Sequence, residues 1–562
     1  MMKDFIRKKI VVPQELWKDY DPKAMDLNIQ ELATTQKDSY VLSRYQIDAI
    51  KVEDGMVQAS IKVTTPIFDT NKIILLLGNY SAPPATSLAL SLVDQGYIVI
   101  SPDLTGLSSY PTKYPKSLEY CLYNVETKDR LEHLEDTAFE SNQYTYSKIV
   151  KRTLVFIDKM YPEKEVVLVT LGDSIEVGMQ TVGSSVEHNI KGMACINGSG
   201  YKEYLGTNKF GEDSEIAIDI TQERIGWLSA VAAVSYARNI KIPTLIAIGS
   251  NAEFADMDRL INLQTLCGEN EIFTIIHPGI TDYLPPSGYR SVLAWINAIF
   301  KNLPIPTRPK VEIRVNEENK VYFDVDCDPS QLIEEVRVYY SYGEYNHALR
   351  GWHFEKAISI SYNEYIASPK IYEADVPLFT FAEVIYANGL TISSLVEYIE
   401  LEDYDIEGED QTKQSNKLVV LYNVTDGIGL FKEEFDGEVL LENTLRMTKI
   451  PSGAKGITTD SNAMKIYPLE LSLQDVEDKD LQIELYSDFE GRVEIVLQCS
   501  IDKKIVEFTA YKMLKSNEFF TSCRFSEHDF KDKTMKPLPS WDLVRSIRIK
   551  GRKLVVGNIL FI

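Results

Sequence analysis

The longest apolar runs in the first half of the chain are NKIILLLGN, YIVISPDLTG, EVVLVTLGDS, KGMACINGSG, KIPTLIAIGSN and EIFTIIHPG. Each is short, rich in β-branched residues and bounded by Gly, Pro, Asn or Asp. That is the pattern of strands buried on both faces. Between them, SLALSLVDQG, TYSKIVKRTLVFIDKMY and SVLAWINAIFKNL repeat apolar residues at helical spacing. Strands alternating with helices predict a doubly wound, mostly parallel sheet over residues 47–305. At its start, IDAIKVEDGMVQASIKVTTP alternates and turns at Asp54 and Gly55, which predicts a hairpin. Residues 1–46 are mixed and polar, with helical stretches expected over 22–35, and read as an N-terminal arm.

Beyond the Pro-rich LPIPTRPK the helical period disappears. KVYFDVDCD, EEVRVYYSYG and FAEVIYANGLTISSLVEYIEL are short alternating segments, which predict an immunoglobulin- or fibronectin-like β-sandwich over 306–404. The polar stretch 405–416, DIEGEDQTKQSN, reads as a connector. Residues 417–562 are again β-rich, with LQIELYSDF, RVEIVLQCS and KIVEFTAYKM, and predict a second sandwich of jelly-roll type.

Charge narrows the range of partners. The formal net charge is −24, a field that repels phosphate backbones and anionic lipid surfaces, so neither nucleic acid nor membrane is expected as a partner. The start of the chain has no apolar core of a signal peptide, and no segment reaches the length of a membrane span, so a cytoplasmic location is expected. The six cysteines are scattered singly and are expected to be reduced, buried thiols. No His/Cys cluster has metal-ligand spacing and no phosphate-binding glycine motif occurs in context, so no metal and no cofactor is expected.

The segment VVLVTLGDSIEVGMQTVG carries the candidate chemistry. A buried strand runs into Gly-x-Ser and then into a helix, a geometry that places a serine on a strained turn with its hydroxyl exposed. Together with GYIVISPDLTG, NGSG, SYARNIKIPTLIAIGSN and MDR, this segment resembles the dienelactone hydrolase and acetyl-xylan (cephalosporin C) esterase group of α/β-hydrolases over about 47–300. The resemblance implies an α/β-hydrolase domain followed by two C-terminal all-β sandwich domains. It also implies a Ser-His-acid site with Ser174 as nucleophile, Gly172 as the first elbow glycine and residues 78–80 as a source of oxyanion donors.

Measured against that pattern, three positions depart from it. Glu176 stands at the elbow's second glycine, Ala252 at the acid position and Asp282 at the base position. A carboxylate of ordinary pKa is a poor partner for deprotonating serine, which Ser-His-acid chemistry leaves to the imidazole. Glu253, Asp256 and Asp258 are nearby carboxylates that could substitute for the acid, and His277 is the one histidine close to the base loop.

In the sandwiches, Trp352 is expected to pack a core. The last domain resembles carbohydrate-binding modules of the galactose-binding-like type, which implies aromatic ligand contacts. Trp541, Tyr511, Phe519 and Phe520 are the candidates, with a core role for Trp541 as the competing reading.

Three functions follow. The first is an esterase-like pseudo-hydrolase acting in binding or assembly. The second is an active serine ester hydrolase or deacetylase on acetylated carbohydrate or a small ester, using Ser174. The third is a structural interaction protein working through its β-domains. A carbohydrate, a protein partner or further copies of the chain are the partners left open.

Overall fold

The computed structural model describes residues 10–128, 133–134, 137–184, 189–200, 222–253, 255–270, 272–371, 374–404, 406, 418–468, 476–502 and 504–562. The strands of its first part are β1 (Gln30–Gln36), β2 (Tyr40–Val52), β3 (Gly55–Pro66), β4 (Lys72–Leu77), β5 (Ile98–Pro102), β6 (Glu165–Leu171), β7 (Ile190–Ile196), β8 (Thr244–Gly249) and β9 (Ile272–His277). They form one sheet in the order β1-β2-β3-β5-β4-β6-β7-β8-β9. β1, β2 and β3 pair antiparallel and β3 meets β5 antiparallel, whereas β5, β4 and β6 to β9 run parallel. The reversal of order at β5-β4 and the antiparallel entry make this an α/β-hydrolase sheet.

Near-complete burial of KIILLL and EVVLVTL comes from cover on both faces. The helices are α1 (Pro13–Trp17), α2 (Thr86–Asp94), α3 (Asn142–Met160), α4 (Ile175–Gly183), α5 (Gln222–Ala230), α6 (Leu260–Cys267) and α7 (Pro286–Phe300). Ile73, Leu75 and Leu77 pack with Ile149, Val150 and Val177 of α3 and α4 on one face. Ile74 and Leu76 pack with Leu88 and Leu92 of α2 and with Val292 and Trp295 of α7 on the other. No described helix is long and apolar enough to cross a membrane.

The helical expectation for 22–35 is corrected: β1 begins at Gln30 and the chain before it is largely irregular. β1 is the edge strand and is exposed or half-exposed throughout, so it lacks the alternation that betrays a strand, and ELATTQ reads by propensity as helix. The sheet therefore starts before residue 47. The predicted hairpin is present, with Val52 paired to Gly55 across the turn.

The second part is an antiparallel β-sandwich whose sheets have four and five described strands. Phe323 and Val325 from one sheet meet Val338, Leu378 and Val384 from the other. Trp352 is half-buried and packs edge-on to Phe381 at 4.9 Å, on the side that faces the hydrolase sheet. This sandwich also caps the free edge of β9. The Ser393 hydroxyl accepts the Ile276 N–H at 2.9 Å, and the Thr274 hydroxyl donates to the Ser393 carbonyl at 2.5 Å.

The third part is another antiparallel sandwich, of six and five described strands, closed over Ile483, Leu485, Val493, Ile495 and Leu497. Residue 406 apart, the connector 405–416 lies outside the described residues. All six cysteines are buried free thiols.

Candidate functional site

The turn after β6 does not have the geometry expected from the Gly-x-Ser pattern. Gly172 follows the strand immediately and takes the left-handed conformation at φ +54°. Ser174 lies two residues further on, at ordinary helical φ −67° and ψ −5°. Its side chain is wholly buried. The hydroxyl accepts the Leu171 N–H at 3.0 Å, and its oxygen lies 2.9 Å from the Leu171 carbonyl and 3.3 Å from the Leu77 carbonyl, the acceptors for its own proton. The expected exposed hydroxyl on a strained turn is thus corrected. The residue in the left-handed region is Gly172, which adopts it without a Cβ penalty, and Ser174 ties the first turn of the helix to the ends of β4 and β6.

The glycine reading shifts with it. Glu176 does not occupy the point of closest helix–strand approach. Gly178 does, since a Cβ there would stand 2.5 Å from the Thr170 methyl. Glu176 is buried in α4. After burial, the carboxylates of Glu176 and Asp173 are the largest causes holding the Tyr80 phenol well above its usual pKa, so both lie close to the loop after β4.

That loop closes on the turn. A Cβ on Gly172 would meet the Asn79 carboxamide at 3.0 Å. The Asn79 oxygen accepts the Tyr80 N–H at 2.7 Å, which engages a backbone donor that an oxyanion site would draw on.

The loop after β8 faces the middle sandwich. Asn251 donates through its amide to the carbonyls of Ala348 and Arg350 at 3.1 and 2.8 Å. The Ala252 carbonyl lies 2.8 Å from His347 Nε2. Glu253 is exposed. Asp258 is fully buried in a two-pronged pair with Arg350, at 2.7 and 3.0 Å. Asp256 accepts the Asp258 N–H at 3.0 Å and lies 3.4 Å from His347 Nδ1. Ligand atoms of Asp256, Asp258 and His347 fall within 4.8 Å of one another, but the Arg350 guanidinium takes both oxygens of Asp258. A cation already occupies the position from which a metal would draw its charge, so this cluster is an interdomain ion-pair network. Sequence spacing could not reveal it, because His347 and Arg350 lie in another domain.

His277 ends β9 and is buried against α7, where a Cβ on Gly288 would meet its Nε2 at 2.3 Å. Burial, aided by the Lys432 ammonium, pulls its pKa down to about 4. Among the described residues no hydrogen bond joins it to Ser174. Asp282 is half-buried, its carbonyl accepts the Asn197 amide at 3.1 Å, and its charge acts on Lys465 and Tyr467 of the last sandwich. The structure therefore does not bring Ser174, His277, Asp282 and the 252 position together as one hydrogen-bonded site.

A segment that no sequence signal marked covers the C-terminal end of the sheet. Residues 432–441 of the last domain lie along the loop after β9. Leu284 donates to the Glu438 carbonyl at 2.8 Å and accepts from Leu440 at 2.9 Å. The Asn197 amide donates to the same Glu438 carbonyl at 2.8 Å, and the Tyr283 hydroxyl to the Glu433 carbonyl at 2.6 Å. The Glu438 carboxyl sits against Asn79. Burial raises its pKa, and the Asn79 side chain offsets part of the rise. Two of the chain's own segments, residues 78–80 and 432–441, thus meet at the C-terminal end of the sheet, the first of them against Gly172.

Of the aromatic candidates, Trp541 is a core residue. Its ring packs edge-on to Phe530 and Phe561, and its indole N–H donates to the Lys479 carbonyl at 3.1 Å. Phe520 is half-buried against Ile450, Tyr486 and Val555. Phe519 and Tyr511 are exposed.

No family model matches the chain, and no curated protein matches it. Among solved structures, acetyl xylan esterase 1 from Thermoanaerobacterium sp. JW/SL YS485 is 11% identical with a TM-score of 0.40, covering 52% of this chain and 95% of that one. An acetyl xylan esterase from Paenibacillus sp. R4 is 12% identical with a TM-score of 0.36, covering 49% and 90%. TT1662 from Thermus thermophilus is 14% identical with a TM-score of 0.31, covering 43% and 94%.

Proposed function

We propose that this chain is a hydrolase-fold protein that does not turn over esters and acts instead as a binding or assembly protein. The observation that carries the reading is Gly172. In this fold the residue on the strained turn between strand and helix presents the nucleophile, and here that residue has no side chain. Ser174 does not replace it, because its hydroxyl is buried and spends its hydrogen bonds on backbone groups.

The surroundings support the same reading. Asp173 and Glu176 stand beside the loop that would stabilise an oxyanion, and carboxyl groups there are not donors suited to the charge that develops in acyl transfer. The loop that should hold the acid is a joint between domains, and residues 432–441 cover the mouth. Selection for a joined three-domain body, presenting its sandwiches to a carbohydrate, a protein or another copy of the chain, accounts for a retained sheet with a filled site.

Full-length protein treated with a fluorophosphonate probe and assayed with p-nitrophenyl acetate tests the proposal. Labelling and turnover should not exceed those of heat-denatured protein, and Ser174→Ala should behave as wild type. Turnover that is lost in Ser174→Ala would overturn it.

A further inference from the structure

One end of the inner strands of the last sandwich carries chemistry that its fold does not require. An open cleft of about 600 Å³ lies where the start of strand Gly491–Ile501, the end of strand Val544–Lys550 and the turn after it meet the start of strand Ala463–Ile466. Pairing of Lys550 with both Glu494 and Ala463 brings the three strands into register, and the Gly551 N–H donates to the Asn462 carbonyl at 2.9 Å. The polar side chains lining the cleft are Asn462, Arg492, Glu494, Lys550 and Arg552.

Three cations against one carboxylate is an unusual lining in a chain with a net charge of −24. Both arginines are exposed, and each lies against an aromatic ring. Arg492 lies over the Tyr511 ring at 3.4 Å, and Arg552 lies over the Phe489 ring at 4.4 Å. A guanidinium over an aromatic face still has N–H groups to offer a planar or tetrahedral oxyanion, with less side-chain freedom to lose on binding. Nearby Asp460 is engaged by Arg446 at 2.8 Å.

Glu494 refines the ligand. It lies 3.7 Å from the Lys550 ammonium and still offers acceptor positions, while Asn462 offers an amide. A carboxylate in the cleft repels a bare anion but accepts hydrogen bonds from hydroxyl groups. A lining of cations, one acceptor and one amide therefore suits a ligand that combines an oxyanion with several hydroxyls. We propose that this cleft binds a polyhydroxylated oxyanion, a sugar acid or a sugar phosphate, through Arg492 and Arg552, with Glu494 and Asn462 reading the hydroxyls. The proposal is independent of whether the hydrolase domain is active. It also gives exposed Tyr511 a role as the platform for Arg492 rather than as a sugar-stacking surface.

Calorimetric titration of the full chain tests it with four ligands: trigalacturonate, glucose 6-phosphate, a neutral trisaccharide and inorganic phosphate. At least one of the first two should bind with unit stoichiometry, weaken with added salt, and bind about tenfold or more tighter than the neutral sugar and inorganic phosphate. Whichever of the two binds identifies the anion. Arg492→Ala and Arg552→Ala should each weaken it about tenfold or more, and Arg492→Lys serves as the variant that keeps the charge but loses the fork. Glu494→Gln should narrow the preference over inorganic phosphate. Far-UV circular dichroism and the thermal midpoint verify that these surface variants fold. No heat from either hydroxylated anion at millimolar concentration, equal binding of the neutral trisaccharide, or affinity unchanged in both arginine variants would each sink the proposal.

Discussion

The carboxamide of Asn79 stands where a side chain on Gly172 would project, 3.0 Å from the Cβ position. The loop after β4 and the turn after β6 have thus closed on each other across the place where a hydrolase needs an attacking group and a bound carbonyl. On the proposed reading, one substitution does not restore a nucleophile there.

Gly172→Ser is accordingly expected to be inactive towards p-nitrophenyl acetate and less stable than wild type. A Cβ in the left-handed region costs about 1–2 kcal/mol, before any displacement of Asn79. Urea unfolding of Gly172→Ser and of the double variant with Asn79→Ala should show part of the loss recovered when the carboxamide is removed.

Ser174→Ala separates structure from chemistry at the position the sequence singles out. Removing the hydroxyl leaves the Leu171 N–H without its 3.0 Å acceptor in a buried site, at a cost of about 1–3 kcal/mol. The expected result is a lower unfolding midpoint with probe labelling unchanged from wild type.

His277 makes stability depend on pH. Its pKa falls from 6.5 to about 4, chiefly through burial, so the folded protein binds fewer protons than the unfolded chain between those values. Stability from this group is fully present above pH 6.5 and is lost progressively as pH falls towards 4, by an amount on the order of 3 kcal/mol at about 1.4 kcal/mol per unit. Unfolding measured across that window should have a shallower pH slope in His277→Gln than in wild type.

The Arg350–Asp258 pair joins the middle sandwich to the hydrolase domain with both side chains fully buried. Arg350→Ala leaves an uncompensated carboxylate and should destabilise by about 3–5 kcal/mol, whereas replacing both residues with apolar ones of similar volume should recover most of that loss. Scanning calorimetry of the single and double variants checks the coupling.

The sheet was legible because its strands are buried on both faces. Runs such as IILLL and VVLVTL have no polar alternative, and the helices between them keep a clear period. β1 was not legible, because an exposed edge strand has no face to hide and its residues favour helix. Trp541 was ambiguous for a different reason. An aromatic next to a turn reads alike as core or platform, and the neighbours that decide it, Phe530 and Phe561, are set by sandwich packing.

The sequence by itself determined the alternation of buried strands and helices from β4 to α7, the all-β character of the chain beyond it, and which residue types stand at 176, 252 and 282. All of these are local patterns or single residue identities. Only the tertiary structure decided which residue of TLGDS stands on the turn, because the left-handed backbone falls where β6 must end and α4 must pack through Gly178 against Thr170. Tertiary structure also decided what lies at the end of the sheet, since Asn79 meets Gly172, and Glu438 meets Asn79 and Asn197, from loops far apart in the chain. Such contacts depend on where folded surfaces meet, and no spacing along the chain records that.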